Sequence, residues 1–380
     1  MMLGYLLARA GIDVVVLERH ADFLRDFRGD TVHPSTMQVM HELGLLDAFL
    51  ARPHSEVRTL AALIGSDVVE IADFSHLPVR ARFVAFMPQW DFLDFLAGEA
   101  RRYPNFRLLM STEASDVIRE RERVAGVVAQ DLTIKAELVI AADGHHSTLR
   151  DAAGLRVVDR GAPMDVLWLR LSKRPTDPGQ TLGRIEAGRV FIRLDRNDYW
   201  QCAYVIPKGG IDEVRARGLD RFRDEITRLS PDLADRVGEI ASWDDVKLLT
   251  VTVNRLDVWS RPGLLCIGDA AHAMSPIGGV GINLAIQDSV AAANILVPRF
   301  RQGRVMPGDL RAVQRRREWP TRMTQGVQVA IQNRVISNVL SSTSTLKTPW
   351  AVRMLGNYPV LRRLPARIIG MGFRPEHIRH

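Results

Sequence analysis

The stretch Gly263 to Leu296, GLLCIGDAAHAMSPIGGVGINLAIQDSVAAANIL, constrains this chain more than any other. Leu264 to Ile267 is a short, continuous apolar run, the pattern of a strand buried on both faces. It stops at Gly268-Asp269, which sets a carboxylate at the carboxyl end of a buried strand, where open α/β sheets bind their ligands. Gly278, Gly279 and Gly281 follow, and an alanine-rich run then predicts a helix from Asn283 to Leu296. Glycines let a ligand lie against bare backbone, and a helix start presents unsatisfied N–H groups and a partial positive charge. Such a junction is a seat for an electron-rich group.

A second junction of the same kind lies earlier. The strand-like residues up to Val139 lead into Ala141-Ala142-Asp143-Gly144-His145-His146-Ser147-Thr148-Leu149-Arg150, again an acid at a strand tip ahead of a helix. Ser147 reads as a helix cap and not as a nucleophile, because no G-x-S-x-G elbow surrounds it. His145, His146 and His272 lack metal-site spacing, and His41-Glu42 does not continue into H-E-x-x-H. Satisfied or solvated histidines are expected, with no metal.

The opening predicts a helix over Met1 to Ala10, a stop at Gly11 and a strand over Ile12 to Leu17 that ends at Glu18-Arg19. In dinucleotide-binding folds this pair of elements follows a first strand and a G-x-G-x-x-G loop, and an acid about 20 residues on binds the adenosine ribose. Glu18 fits that acid. Phe27-Arg28-Gly29-Asp30-Thr31 comes next, then His33-Pro34-Ser35 opens a helix that closes at Gly44. Short β-rich runs fill Val57 to Phe86, and Pro88-Gln89-Trp90-Asp91 starts a helix reaching Arg101, with Trp90 and Phe95 as packing residues. Val117 to Val139 predicts a hairpin and a return strand.

From Met164 to Ile206 strands dominate again, and Trp200, Cys202, Tyr204 and Ile206 share one face. That face either roofs an apolar pocket or packs as core beneath helices; alternation alone leaves both open. A helix over Asp220 to Leu229 and a strand over Val246 to Val253 return to the Asp269 junction. Beyond Pro298, helices are predicted at Asp309 to Trp319 and Thr321 to Val339.

Taken in order, Glu18, Arg28, Gln89, the Asp143 motif and the Asp269 motif strongly resemble the flavoprotein monooxygenases of the p-hydroxybenzoate hydroxylase type. The resemblance implies an α/β fold: a Rossmann-like FAD-binding domain (1–56, 87–158 and 251–298), an inserted β-sheet substrate domain (57–86 and 159–250) and a helical C-terminal region (299–380). It implies FAD as cofactor, NADH or NADPH as co-substrate, and hydroxylation of an aromatic or polycyclic small molecule with O2. By the same analogy Glu18 and Arg19 face the adenosine end, Arg28 the flavin and its diphosphate side, and Gln89 the flavin. Asp143 and Gly144 belong to a motif tied to FAD and NAD(P)H, and Asp269 holds the ribityl chain. Pro276, Gly278, Gly279, Gly281, Ile282 and Asn283 border the ring. No acid–base pair is assigned, since the cofactor carries the chemistry.

The family's first strand and phosphate loop are not in this sequence, so Met1-Met2-Leu3-Gly4 is read as the continuation of that loop in a truncated chain. Two other readings therefore stay open. One is a flavoprotein of this fold that oxidises, reduces or halogenates without hydroxylating; the other is a non-catalytic remnant or binding module.

Charge separates the partner classes. The net charge is +7, but Arg299 to His380 carries 16 Lys+Arg against 3 Asp+Glu. Because these arginines are spread among apolar residues with no nucleic-acid motif, a solvated helical surface is expected, with neither a nucleic-acid partner nor stable membrane insertion. Cys202 and Cys266 are the only cysteines, so no disulfide framework is expected and the chain reads as cytoplasmic. No apolar run approaches a membrane span, and Met1 to Leu17, broken by Arg9 and Asp13, lacks a signal-peptide leader. A homo-oligomer is left open.

Overall fold

A computed structural model describes residues 1–24, 31–177, 182–196, 198–342 and 348–379. The helix Met2–Arg9 lies on a parallel pair, Val14–Leu17 with Phe106–Leu109. Gly4 makes that approach possible, since a Cβ there would stand 2.8 Å from Val16 Cγ2 and 3.2 Å from the Phe106 ring. A second parallel pair joins Val139–Ala141 to Leu264–Cys266, with Ser260–Arg261 running antiparallel on its far side. Among the described residues the two parallel ladders share no hydrogen bonds, and Val15 on the first is 41% exposed. Leu264, Leu265 and Cys266 are fully buried, as a continuous apolar run requires.

Strands from both β-rich stretches share one seven-stranded sheet. Its order is Lys247–Leu249, Met164–Ser172, Tyr199–Pro207, Arg189–Asp195, Leu182–Glu186, Thr59–Ile64 and Asp67–Asp73. Ser55–Val57 and Val84–Phe86 pair elsewhere, with Thr31–Val32. Two boundaries differ from the sequence reading: the strand expected over Val246 to Val253 is only Lys247–Leu249, and the expected hairpin is a three-stranded meander, Ala114–Glu120, Arg123–Ala129 and Leu132–Lys135.

The two faces of the large sheet have separate duties. Trp200, Cys202, Tyr204 and Ile206 pack on Phe222, Ile226 and Leu229 of the helix Leu219–Leu229, so they are core beneath a helix. The opposite face, with Val166, Trp168, Ala203 and Val205, meets Ile277, Ile336 and Val339 instead.

The helix Gly281–Arg301 runs through Pro298, and Pro307–Ile331 runs through Pro320 before a π-helical turn, Gln332–Ile336. The sequence reading broke the second helix at Pro320, because proline removes one intrahelical hydrogen bond. Burial of Val313, Arg317, Pro320 and Thr321 on one side outweighs that loss. Ile277–Arg301 also corrects the expectation about membrane spans. By length and composition it could cross one, yet its most apolar window is 72% buried, as in a soluble core helix.

Candidate functional site

The register Ala141↔Cys266 brings both acid-tipped strands out on one edge, with Asp143 and Asp269 exposed just beyond it. Asp143 accepts hydrogen bonds from Ser147 Oγ and, at 3.2 Å, from Leu149 N–H. Ser147 Oγ in turn accepts from Arg150 N–H at 3.1 Å, so it caps the short helix Thr148–Ala152 as expected. The side chain of Arg150 is buried; its Nη1 donates to His145 O at 3.0 Å and to Ala270 O at 3.5 Å. It straps one acid-tipped loop to the other. Gly144 bends the first loop at φ 87°, a conformation that favours glycine.

Beneath the Asp269 turn lies a network of buried charge. Asp288, on the helix Gly281–Arg301, accepts from Gly268 N–H at 3.0 Å, His272 Nε2 at 2.6 Å and Arg317 Nε at 2.9 Å. Arg317 reaches on to Glu376 at 3.4 Å and donates to Arg374 O at 3.1 Å, and Arg316 pairs with Glu376 at 2.7 Å. Burial pushes the Asp288 carboxyl up, but His272 and Arg317 outweigh it and hold the group below the ordinary carboxylate range. Neither Asp288, Arg317 nor Glu376 was singled out from the sequence. One signal was there: an acid inside the otherwise apolar alanine-rich stretch, at a position the helix buries.

The glycine turn is shaped from a distance. Gly278 and Gly279 have φ values of 77° and 61°, and a Cβ on Gly279 would stand 2.2 Å from Thr31 Oγ1. Thr31 Oγ1 donates to Gly279 O at 2.9 Å. Asn283 Oδ1 accepts from His33 N–H (2.9 Å) and Thr36 Oγ1 (2.7 Å), and its Nδ2 donates to Thr31 O and Gly279 O. With its side chain committed to protein groups, Asn283 meets a ligand through backbone alone. No side chain caps this helix and no acid sits in its first turn, while Pro276, Gly281 and Ile282 are half-buried and Gly278 exposed. His33 is buried, with Nδ1 2.7 Å from Ile369 O, and burial pushes its pKa down to about 4, so the ring is neutral near pH 7.

The remaining candidates are spread along the fold. Glu18 follows the strand Val14–Leu17, half-buried, and accepts from His20 N–H at 3.0 Å. Arg19 is exposed and turned towards His20 and Glu113. Gln89 is the first residue of the helix Gln89–Ala100 and half-buried. Arg28 lies outside the described residues.

This donor set suits a long, hydroxyl-bearing, electron-rich group. Two exposed carboxylates can accept from hydroxyls, the glycine turn offers backbone bare of side chains, and uncapped helix N–H groups favour negative charge. Residues 1–326 match the family model described as FAD binding domain. The chain belongs to that family. It is 31% identical over 373 residues to the 6-methylpretetramide 4-monooxygenase of Streptomyces rimosus, a match covering 96% of this chain and 88% of that protein. Dialkyldecalin synthase of Streptomyces rugosporus is 24% identical over 305 residues, and there the match covers 76% of this chain and only 61% of the relative. Pseudomonas aeruginosa PqsL, solved with 2-aminobenzoylacetate, shares the fold with a TM-score of 0.76 at 22% identity, covering 90% of this chain and 94% of PqsL. This chain is a flavoprotein monooxygenase of the p-hydroxybenzoate hydroxylase type, and FAD is its cofactor.

Proposed function

We propose that this flavoprotein hydroxylates a polycyclic aromatic small molecule with O2, taking its reducing equivalents from NADH or NADPH. The shared edge of Asp143 and Asp269, next to an uncapped helix start, carries the reading. Bound FAD would supply the redox chemistry by which NAD(P)H and O2 give one oxygen atom to the substrate and the other to water. The chain's own residues bind and orient. Asp269 would accept from the ribityl hydroxyls and Glu18 from the adenosine ribose; the family resemblance assigns Gln89 to the ring and Arg28 to the diphosphate side. The backbone of Gly278 to Asn283 stabilises negative charge on the ring without a titrating side chain. The sheet face with Trp168, Ala203 and Val205 is buried against Ile336 and Val339 and reaches Ile277 beside the glycine turn; its edge there would be the apolar side of the substrate site.

The pretetramide named for the 31% identical relative supports a fused-ring substrate. A relative named as a synthase favours a second reading, a flavoprotein of this fold that does not hydroxylate. Purified protein with visible flavin absorbance, reduced anaerobically by NADH or NADPH and then exposed to O2 with a polycyclic phenol, is expected to yield a product one oxygen heavier. Flavin that reoxidises in a full substrate screen without oxygen transfer would favour the second reading. A colourless protein that takes up no flavin would leave only a binding module.

A further inference from the structure

The Arg-rich C-terminal region does not fold into the plain solvated surface that its composition implies. The helix Trp350–Asn357, the turn Pro359–Arg362 and the helix Arg363–Met371 lie in succession along the outer strand Asp67–Asp73 of the large sheet. On the first helix Trp350, Arg353, Met354 and Asn357, at helical spacing on one face, are all exposed. The outward residues that follow are again apolar. Trp350 is 78% exposed, Val360 67% and Leu364 65%, with Tyr358 between them. A run of large apolar side chains facing water marks an interaction site, since isolated ones are ordinary and clustered ones are not.

Charge decides what covers it. The sequence holds no Asp or Glu between Glu318 and Glu376. The acids on the neighbouring strand are already engaged: Asp67 accepts from Thr348 Oγ1 at 2.7 Å, Glu70 pairs with Arg362, and Asp73 lies in the field of His76 and Arg363 while accepting from Ser75. Arg353 and Arg367 are exposed and make no ion pair among the described residues. A second copy docked by two-fold symmetry would set these arginines against each other with no acid to answer them. An anionic bilayer answers them. Trp and Tyr favour the headgroup level, Leu and Val the acyl boundary, and Arg the lipid phosphates.

We propose that this surface docks the enzyme peripherally on anionic lipid, with Trp350, Tyr358, Val360 and Leu364 dipping into the interface and Arg353 and Arg367 on the headgroups. The inference stands apart from the choice of substrate. It has a consequence for the flavin seat, because the inner side of the helix Arg363–Met371 meets His33 and Pro34, and His33 N–H in turn holds Asn283. Ile369 O holds the His33 ring, and a Cβ on Gly370 would stand 3.3 Å from Pro34.

The test is sedimentation of the flavin-loaded full chain with phosphatidylcholine vesicles, with or without phosphatidylglycerol. The protein is expected to pellet with the anionic vesicles only, and to be released by salt. The W350S/L364S double variant is expected to remain in the supernatant. R353Q/R367Q should bind on the order of ten-fold or more weakly, as each arginine at an anionic surface is worth roughly five-fold. Flavin content and melting temperature, read in parallel, are expected to stay at wild-type values, since all four side chains are exposed. No pelleting with anionic vesicles, or equal pelleting by the variants, would overturn the proposal. So would a dimer seen by light scattering that W350S/L364S dissolves without any vesicle effect, which would make this a face between two copies.

Discussion

The junctions at Asp143 and Asp269 share one design, a buried strand, an acid at its tip and a helix, yet they are held by different means. The first is largely local: Asp143, Ser147 and Arg150 lie within eight residues and cap one another, with a strap from Arg150 to Ala270 O. The second is held from across the molecule, by Asp288, Arg317 and Glu376 beneath the turn and by Thr31, His33 and Thr36 around Asn283. A local cap tolerates the loss of one member, whereas a buried charge that loses its counter-charge has nowhere to turn.

The strongest way to break this comparison is Asp288→Asn. It removes the negative charge that answers the buried Arg317 and turns one of the two acceptor oxygens shared by Gly268 N–H, His272 and Arg317 into an amide donor, at an expected cost of about 3–5 kcal/mol in denaturant unfolding, together with loss of bound flavin. Next comes His33, whose pKa falls from 6.5 to about 4 on folding. A depressed histidine contributes stability that is complete above pH 6.5 and lost as pH falls toward 4, by up to about 1.4 kcal/mol per pH unit. His33→Gln is expected to flatten the melting temperature in that window; an unchanged acid slope would show that His33 is not the titrating group. Gly279→Ala sharpens the comparison further. Its left-handed backbone and the nearby Thr31 Oγ1 together predict a loss of about 1–3 kcal/mol, seen as weaker flavin retention in equilibrium dialysis. The smallest effect belongs to the local junction, where Ser147→Ala removes one cap at about 1 kcal/mol by thermal melting. Should Ser147→Ala unload flavin more readily than Asp288→Asn, the assignment of the two junctions would be reversed.

The same contrast explains what was legible in the sequence. Period, glycine placement and caps are short-range, so the strand Leu264–Cys266, the Ser147 cap, the helix opening at Pro34 and the acid positions could be read directly. The partners that complete the Asp269 side are remote in sequence. Thr31 and Gly279 are 248 residues apart, and His33 and Ile369 are 336 apart. No local pattern marks such pairs. The continuous helix through Pro320 escaped for a related reason, since a local rule about proline was outweighed by burial. Alternation placed Trp200 and Tyr204 on a common face but not on a side of the sheet; only the docking of Phe222, Ile226 and Leu229 settled that.

Glu376 closes the network under the Asp269 turn, and translation delivers it well after Asp288 and Arg317. On the ribosome, the nascent chain therefore carries Arg317 with only one of these two counter-charges until Glu376 has emerged. A chain cut short before Glu376 would be expected to reach the cell's proteases with its flavin turn still loose.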